Sequence, residues 1–491
     1  MSDVYTAFKP IRNKIRKYTP ISIIGMAIDI MHSHIDSVDT VEQWLRPHNT
    51  YLPHTIMLMI RLVYQCSEAN PNARDITSNE FKELHFAIYK LADNVGLSLS
   101  GQESVNKGFS FLKRIMNQQI MYQVKDYEVH AAFSRQLILF EDMGSDYDIN
   151  NKFMEIAGIT LKEFFQISFS CWTMLNIKEN RHLSISMLEH IFPTNYLQGF
   201  FRIVSRDIDG AKKYIRQHPG SKKAIDFQLF EHSPLERYPF LKYEDRYIPY
   251  SIRLFNHSLK TQVYRIFKEH NPNFSGGVFG EKIFPAYIQR GLEYANISFE
   301  TETMLKRRIP KASKVVDFLV EEENAVIMIE VKSTEPRAVT RVMQDTERLT
   351  TFETSTLKGI EQIVSTASHL NNVQEKYGII VTFGDYATVT HNNMTISDSE
   401  TQNIILSENL FFISIEDFDF LVGGIKELNV MMSDILREVV SRNRSPETSC
   451  IFLRQHLAAM WSHYYHPDYV LDRTIQCISE IQERFPMSLR R

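Results

Sequence analysis

The sequence Lys314-Val-Val-Asp-Phe-Leu-Val320 leads through Glu321-Glu-Glu-Asn324 into Ala325-Val-Ile-Met-Ile-Glu-Val-Lys332. Each of the two apolar runs is typical of a short buried strand. The polar stretch between them is short enough for a hairpin turn. Because side chains alternate along a strand, Glu330 and Lys332 are expected on the same face of the second strand.

These strands carry charged groups where an apolar core is expected. An acid and a lysine in a buried strand are costly unless they are paired or bound to a metal ion. Asp317, in the first run, supplies a second carboxylate. Asp317 and Glu330 can give oxygens to Mg²⁺, and Lys332 can position water or stabilise charge on a phosphate. For Glu330 and Lys332 taken alone, an ordinary salt bridge is the alternative interpretation.

Helices are predicted on both sides of these strands. In 275–292, glycines lead into apolar residues at helical spacing, and Glu281 lies in the first turn. A second amphipathic helix is predicted over 356–370, followed by strands at 377–383 and 410–415. For Glu281 alone, a favourable acid near a helix N-terminus is the simpler explanation. Its place before the two strand carboxylates favours a role at the same site.

This order of elements resembles the PD-(D/E)xK nuclease superfamily, which has the restriction-endonuclease-like fold. The resemblance covers about residues 270–425, less than half of the chain. It implies a mixed central sheet flanked by helices. It also implies a phosphodiesterase site that depends on Mg²⁺, with Mn²⁺ expected to substitute.

The resemblance assigns roles to individual residues. Asp317 and Glu330 match the acidic pair that binds the metal, and Lys332 matches the family lysine. A Gln or Lys often lies in the following helix, where Gln362 fits and Lys358 is the alternative one turn earlier. Val316 stands where a proline often precedes the family aspartate. The catalytic residues implied are therefore Glu281, Asp317, Glu330, Lys332 and Gln362.

Composition places the chain among ordinary globular proteins. Its 491 residues suffice for two or three domains, with 43% hydrophobic and 23% charged residues. The four cysteines are widely separated and fit neither a zinc site nor a disulfide framework, which favours a reducing cytoplasm. No secretory signal and no apolar run of about 18 residues is found, so a cytoplasmic protein without a membrane span is expected.

The predicted architecture is multidomain, α plus α/β. Helical periodicity dominates the N-terminal part. The resemblance implies that such a domain acts in sensing, target selection or assembly, as a homodimer or with a partner protein. The predicted segments are a helical domain at 1–230, a connecting hairpin and helix at 231–265, the nuclease domain at 266–425 and a helical tail at 426–491.

The charge distribution bears on the substrate. A net charge of −4 is not typical of a nucleic-acid-binding protein, so local clusters have to hold the phosphate backbone. A basic run at 9–17 is a second candidate contact, although a solvated helix face is the favoured interpretation there. The cations expected to contact nucleic acid near the predicted site are Lys306, Arg307, Arg308, Lys311, Arg337 and Arg341.

The sequence therefore predicts a metal-dependent nuclease. DNA is favoured over RNA because most of the resembled family cuts DNA, and a bacterial defence or restriction role is expected by analogy alone. The alternative is a non-catalytic module that binds nucleic acid or protein through a nuclease-like fold. The intact Asp317, Glu330 and Lys332 favour the enzyme.

Overall fold

The chain folds as a mixed α/β protein that divides into two compact units. The first comprises Met1–Phe133, Ile149–Arg265 and Ile475–Arg491, and the second comprises Ser134–Asp148 and Ile266–Thr474. The computed structural model describes residues 4–36, 51–99, 122, 126–177, 180–218, 228–231, 233–310, 312, 314–333, 354–370, 375–384, 405, 407–445, 447–450 and 452–484.

The first unit is mainly helical, as predicted for the N-terminal part. Thr160 and Glu163 form a capping box at the start of one of its helices, in which the side chain of each accepts from the backbone N–H of the other. The helices in chain order are α1 (Val4–Ile15), α2 (Pro20–Ile30), α3 (Pro53–Cys66), α4 (Ser78–Leu99), α5 (Asp126–Leu137), α6 (Ile149–Ala157), α7 (Leu161–Leu175), α8 (Ile185–Leu188), α9 (Thr194–Val204), α10 (Ile208–Gln217), α11 (Ile252–Leu259) and α12 (Gln262–His270), of which α5 and α12 continue into the second unit.

A small sheet accompanies these helices. The predicted hairpin forms, with Glu244 in the left-handed region at φ 56° at its turn. Two short strands from earlier in the chain flank the hairpin, which therefore belongs to a four-stranded sheet of order β1-β4-β3-β2. These strands are β1 (Leu183–Ser184), β2 (Ser205–Arg206), β3 (Phe240–Tyr243) and β4 (Arg246–Pro249).

The second unit contains a five-stranded mixed sheet of order β5-β6-β7-β8-β9. Its strands are β5 (Glu300–Thr301), β6 (Phe318–Glu321), β7 (Ala325–Lys332), β8 (Glu375–Thr382) and β9 (Leu410–Ser414). Its helices are α13 (Phe284–Tyr294), which follows a π-helical turn at Phe279–Ile283, then α14 (Glu302–Arg308), α15 (Thr354–Ala367), α16 (Ile415–Leu428), α17 (Met432–Arg444), α18 (Leu453–Trp461) and α19 (Asp468–Arg484), the last of which continues into the first unit.

The lengths of the connections explain the strand directions. β6 and β7 are antiparallel because only three residues separate them, which suits a hairpin. β7 and β8 are parallel, since the chain returns through a long connection that includes α15. The predicted order of helices and strands in this part of the chain is thus confirmed, and so is the helical C-terminal region.

One predicted strand begins later than expected. The sequence predicts a strand over 314–320, whereas β6 begins at Phe318, directly after Asp317. The side chain of Asp317 accepts a hydrogen bond from the backbone N–H of Val331 (2.7 Å), where a regular ladder would use a backbone carbonyl. The carboxylate therefore lies at the start of the strand.

The two faces of this sheet pack against different helices. On one face Val326 and Met328 join a core that includes Ile360 and Ile363 of α15. On the opposite face Phe383, which follows β8, makes an edge contact with the ring of Phe284 of α13. Both faces of β7 are thus covered, which is why its sequence is apolar at almost every position.

An early segment of the chain also completes the core of the second unit. Phe140 is fully buried and stacks on Phe279, with the ring centroids 5.5 Å apart. It also stacks on Phe267 and Phe274. These rings support the turn that carries Glu281, a contact between segments more than 130 residues apart that periodicity does not predict.

Met328→Ala tests the importance of the core beneath α15. Met328 is fully buried, so the truncation should leave a cavity and lower the free energy of unfolding by about 2–5 kcal/mol. Met304→Ala is the matched control because that side chain is 48% exposed, and it should change stability by less than about 0.5 kcal/mol. Urea unfolding measures both variants, and equal effects would contradict the packing described.

Candidate active site

Glu330 is the most deeply buried carboxylate of the predicted site. Its side chain is 1% exposed at the end of β7. Lys332 Nζ donates to Glu330 Oε1, which confirms that the two side chains share one face of the strand. Glu330 Oε2 is buried and has no hydrogen-bond partner in the part of the chain that the structure describes. An acceptor of this kind is open to a further ligand.

Asp317 directly precedes the neighbouring strand β6, and its carboxylate is held toward β7 by the N–H of Val331. Its backbone carbonyl accepts from the N–H of Glu302 (2.8 Å), which fixes the residue from the other side. Burial raises the pKa of Asp317, and Glu302 raises it further, while the hydrogen bond from Val331 and the charges of Lys332 and Lys306 lower it. Desolvation is the largest of these effects.

The pKa of Glu330 is shifted further. Burial raises it to about 8, and the nearby charge of Asp317 contributes in the same direction, against the opposing effect of Lys332. A buried carboxylate whose proton affinity is raised further by a second carboxylate is typical of a site that gains from a bound cation.

Gln362 of α15 contacts both Lys332 and the segment that precedes Asp317. Its Oε1 accepts from Lys332 Nζ (3.0 Å), and its Nε2 donates to the carbonyl of Val315 (3.0 Å). Val315 lies two residues before Asp317. A single amide therefore holds the lysine and the segment that leads to the aspartate, in agreement with the position predicted for Gln362.

Two further side chains of α15 hold the same segment. Ser365 Oγ donates to the carbonyl of Lys314 (2.8 Å), and Thr366 Oγ1 accepts from the N–H of Val316 (3.1 Å). These residues lie three and four positions after Gln362, so they share one helix face. Lys358, the alternative to Gln362, is exposed on this helix.

Gly359 is a residue of the site that the sequence analysis missed. A Cβ at this position would lie 3.3 Å from Lys332 Cε, 3.4 Å from Glu330 Cγ and 3.3 Å from Ile380 Cδ1. The missing side chain therefore lets the helix lie directly on the stems of the two charged residues. The available signal was a glycine in the middle of an amphipathic helix, where it is costly without a packing reason.

Glu281 lies at the same end of the sheet as Lys332. The adjacent Gly280 packs against Ser333, whose side chain donates to the carbonyl of Ser275. The side chain of Glu281 is exposed and makes no hydrogen bond or ion pair with another described residue. Its helix is thus placed as predicted, whereas contact with the carboxylate pair is not formed.

The predicted cationic residues differ in their surroundings. Lys306 pairs with Glu302 (2.6 Å) and lies near enough to Asp317 to lower its pKa. Arg307 is exposed. Arg308 is held by Glu300 and Glu321. The other cations predicted to contact nucleic acid lie outside the described residues: Lys311, Arg337 and Arg341.

The donor set fits a hard divalent cation of the Mg²⁺ type. Asp317 and Glu330 offer carboxylate oxygens, and the buried Oε2 of Glu330 has no hydrogen-bond partner among the described residues. No cluster of three or more His, Cys, Asp or Glu able to hold a metal occurs among the described residues. Two carboxylates are enough for Mg²⁺, which keeps several waters, whereas a structural zinc site needs more protein ligands.

Comparisons with protein-family models, curated proteins and solved structures find no match for this chain. The interpretation of the site therefore depends on its own geometry and chemistry.

Stability should depend on pH through Glu330. Between the usual glutamate pKa of 4.5 and the folded value of about 8, the folded protein keeps a proton that the unfolded chain releases. The free energy of unfolding should therefore fall as the pH rises from about 5 to about 8 in EDTA. Glu330→Gln should remove this part of the pH dependence, as measured by urea unfolding across that range.

Glu361→Gln serves as the control for this experiment, because Glu361 is an exposed glutamate on α15. It should keep the slope of the wild-type protein. Parallel curves for Glu330→Gln and the wild type would show that Glu330 titrates normally.

Gly359→Ala tests the close approach of α15 to β7. In an open helical position, alanine should add up to about 1 kcal/mol of stability over glycine. Gly25→Ala in α2 is the reference, because no atom lies within 4 Å of a Cβ there. Gly359→Ala should gain less or lose stability, since Lys332, Glu330 and Ile380 must move. An equal gain for both variants in thermal unfolding would contradict this contact.

Proposed function

We propose that this protein is a metal-dependent nuclease that hydrolyses phosphodiester bonds. The observation that carries the proposal is the pair of carboxylates, the half-buried Asp317 and the buried Glu330, with the amine of Lys332 bonded to Glu330. Its support lies in the arrangement of these groups at one end of a mixed sheet. That arrangement matches what the resemblance to PD-(D/E)xK nucleases implies.

Each residue of the site has a different role in the proposed hydrolysis. Asp317 and Glu330 would hold the cation, which supplies Lewis-acid polarisation of the phosphate and a more acidic water when bound. Lys332 has three N–H donors, of which two serve Glu330 and Gln362. The third has no acceptor among the described residues, and it would orient the attacking water or stabilise charge on the phosphate. Gln362 keeps the amine in place.

DNA is the proposed substrate, in preference to RNA. The basis of this preference is the family resemblance alone. The exposed cations Lys306 and Arg307 lie on α14, which is tied to Asp317 through Glu302. These two cations would hold a phosphate backbone near the carboxylates. The defence role stays a prediction.

A non-catalytic module is the second candidate function. The absence of a contact between Glu281 and the carboxylate pair favours it. Against it, retention of a costly buried carboxylate is difficult to explain in a protein that binds no cation.

None of the described helices is both long and apolar enough to cross a membrane.

Cleavage assays test the proposal. Purified protein should cut plasmid, linear or single-stranded DNA in Mg²⁺ or Mn²⁺ and be inactive in EDTA, with RNA as a parallel substrate. Asp317→Ala and Glu330→Ala should abolish cleavage, because each removes a cation ligand. Lys332→Ala should lower the rate by about 10²-fold, as expected for the loss of one electrostatic stabiliser.

Matched variants separate chemistry from general charge effects. Glu361→Ala and Lys314→Ala change an exposed pair beside the site and should keep most of the activity. Circular dichroism checks that each variant is folded. Full activity in EDTA, or in either carboxylate variant, would refute the nuclease. Binding of nucleic acid without cleavage under any metal condition would support the non-catalytic module.

A further inference from the structure

Helix α4 of the first unit exposes two aromatic rings beside two lysines. Phe86 is 55% exposed and Tyr89 is 37% exposed. Lys82 and Lys90 are exposed on the same side, one turn before and one turn after Phe86. We call these four residues the α4 stripe. Single exposed hydrophobic residues are common, but two rings framed by cations on one helix face need a reason.

The lysines and the aromatic rings of the α4 stripe lie next to one another. Lys90 Nζ lies over the ring of Phe86, 4.5 Å from its centroid. Lys82 and Lys90 are eight residues apart, about 12 Å along the helix axis. They therefore place positive charge at both ends of an aromatic surface. Opposite faces of the helix pack on α1 and α3, so the stripe is its outward side.

Acidic residues on the same helix do not cancel this charge. Glu83 borders the stripe, and Lys14 of α1 forms an ion pair with it (2.7 Å). Asp93 is half-buried beyond Tyr89. The two stripe lysines make no ion pair with another residue in the described ranges. The stripe thus carries a net positive charge, unlike the chain as a whole.

Helix α1 extends the same chemistry next to α4. Tyr5 is exposed, and Arg12 lies over its ring, 5.6 Å from the centroid, while Arg12 Nη1 donates to Tyr5 Oη (2.9 Å). Lys9 is exposed between them. The ion pair between Lys14 and Glu83 joins this helix to the α4 stripe. Cations alternating with aromatic rings thus continue beyond a single helix.

We infer that the α4 stripe binds single-stranded nucleic acid. Exposed bases can stack on Phe86 and Tyr89 while Lys82 and Lys90 hold the phosphates. A duplex keeps its bases stacked inside and would leave both rings unused. An acidic peptide would meet the lysines and leave the rings without a specific role. An anionic membrane would be offered only two rings, which is little apolar area for insertion.

Binding is measured in EDTA, so that the result does not depend on cleavage. Fluorescence anisotropy follows the full chain with labelled oligo-dT and oligo-U of about 20 nucleotides and with a duplex of the same length. Both single strands are used because stacking and phosphate contacts are common to DNA and RNA. Single strands should bind more tightly than the duplex.

Substitutions at the two kinds of residue should have different effects. Phe86→Ala and Tyr89→Ala should each weaken single-strand binding about fivefold or more and leave its salt dependence unchanged. Lys82→Ala and Lys90→Ala should each reduce the slope of log K against log salt by about 0.7. Tyr243→Ala and Lys213→Ala change an exposed aromatic and an exposed cation elsewhere on the first unit, and both should bind as the wild type does.

The inference is refuted if Phe86→Ala and Tyr89→Ala bind single strands as tightly as the wild type does. Equal loss of duplex and single-strand binding would also overturn it, since stacking is then not involved. Phe86-dependent binding to vesicles with anionic phospholipid, without binding to oligonucleotides, would assign the surface to membranes instead. Aromatic-dependent binding by a protein that never cleaves would support the stripe and refute the nuclease proposal separately.

Discussion

The rest of the second unit depends on a carboxylate inside a fully covered strand. A charge in such a place is costly, and the neighbours of Glu330 determine whether it carries a proton or an ionic partner. Lys332 provides an ion pair, and burial with Asp317 favours the protonated acid. Gly359 leaves room for the stems of both charged residues. A bound cation would use the same arrangement, because it replaces the proton as the positive partner.

Strand direction determines which groups can reach that carboxylate. Parallel pairing of β7 and β8 requires a long crossover, and α15 within it lies across the polar end of β7. One face of α15 then supplies Gln362, Ser365 and Thr366 to the segment before Asp317. The hairpin pairs β6 with β7. The crossover helix α15 then fixes the positions of the charged residues at the ends of these two strands.

The local charge on parts of the surface differs in sign from the net charge of the chain. The chain has a net charge of −4, yet α4 presents two lysines with exposed rings in the first unit. In the second unit, Arg308 is held by Glu300 and Glu321 and Lys306 pairs with Glu302, whereas the neighbouring Arg307 is exposed. A run of cations in the sequence therefore divides into structural ion pairs and residues available to a ligand. Only the position of nearby acids distinguishes the two.

The sequence alone determined the strands, the shared face of Glu330 and Lys332, and the helix with Gln362, because alternation and helical spacing are local properties. It did not determine that β6 begins after Asp317, that Gly359 packs on the charged stems, or that Phe140 supports the turn with Glu281. Each of these depends on contacts between distant segments. Such contacts are set by how helices lie on the sheet, which only the tertiary structure decides.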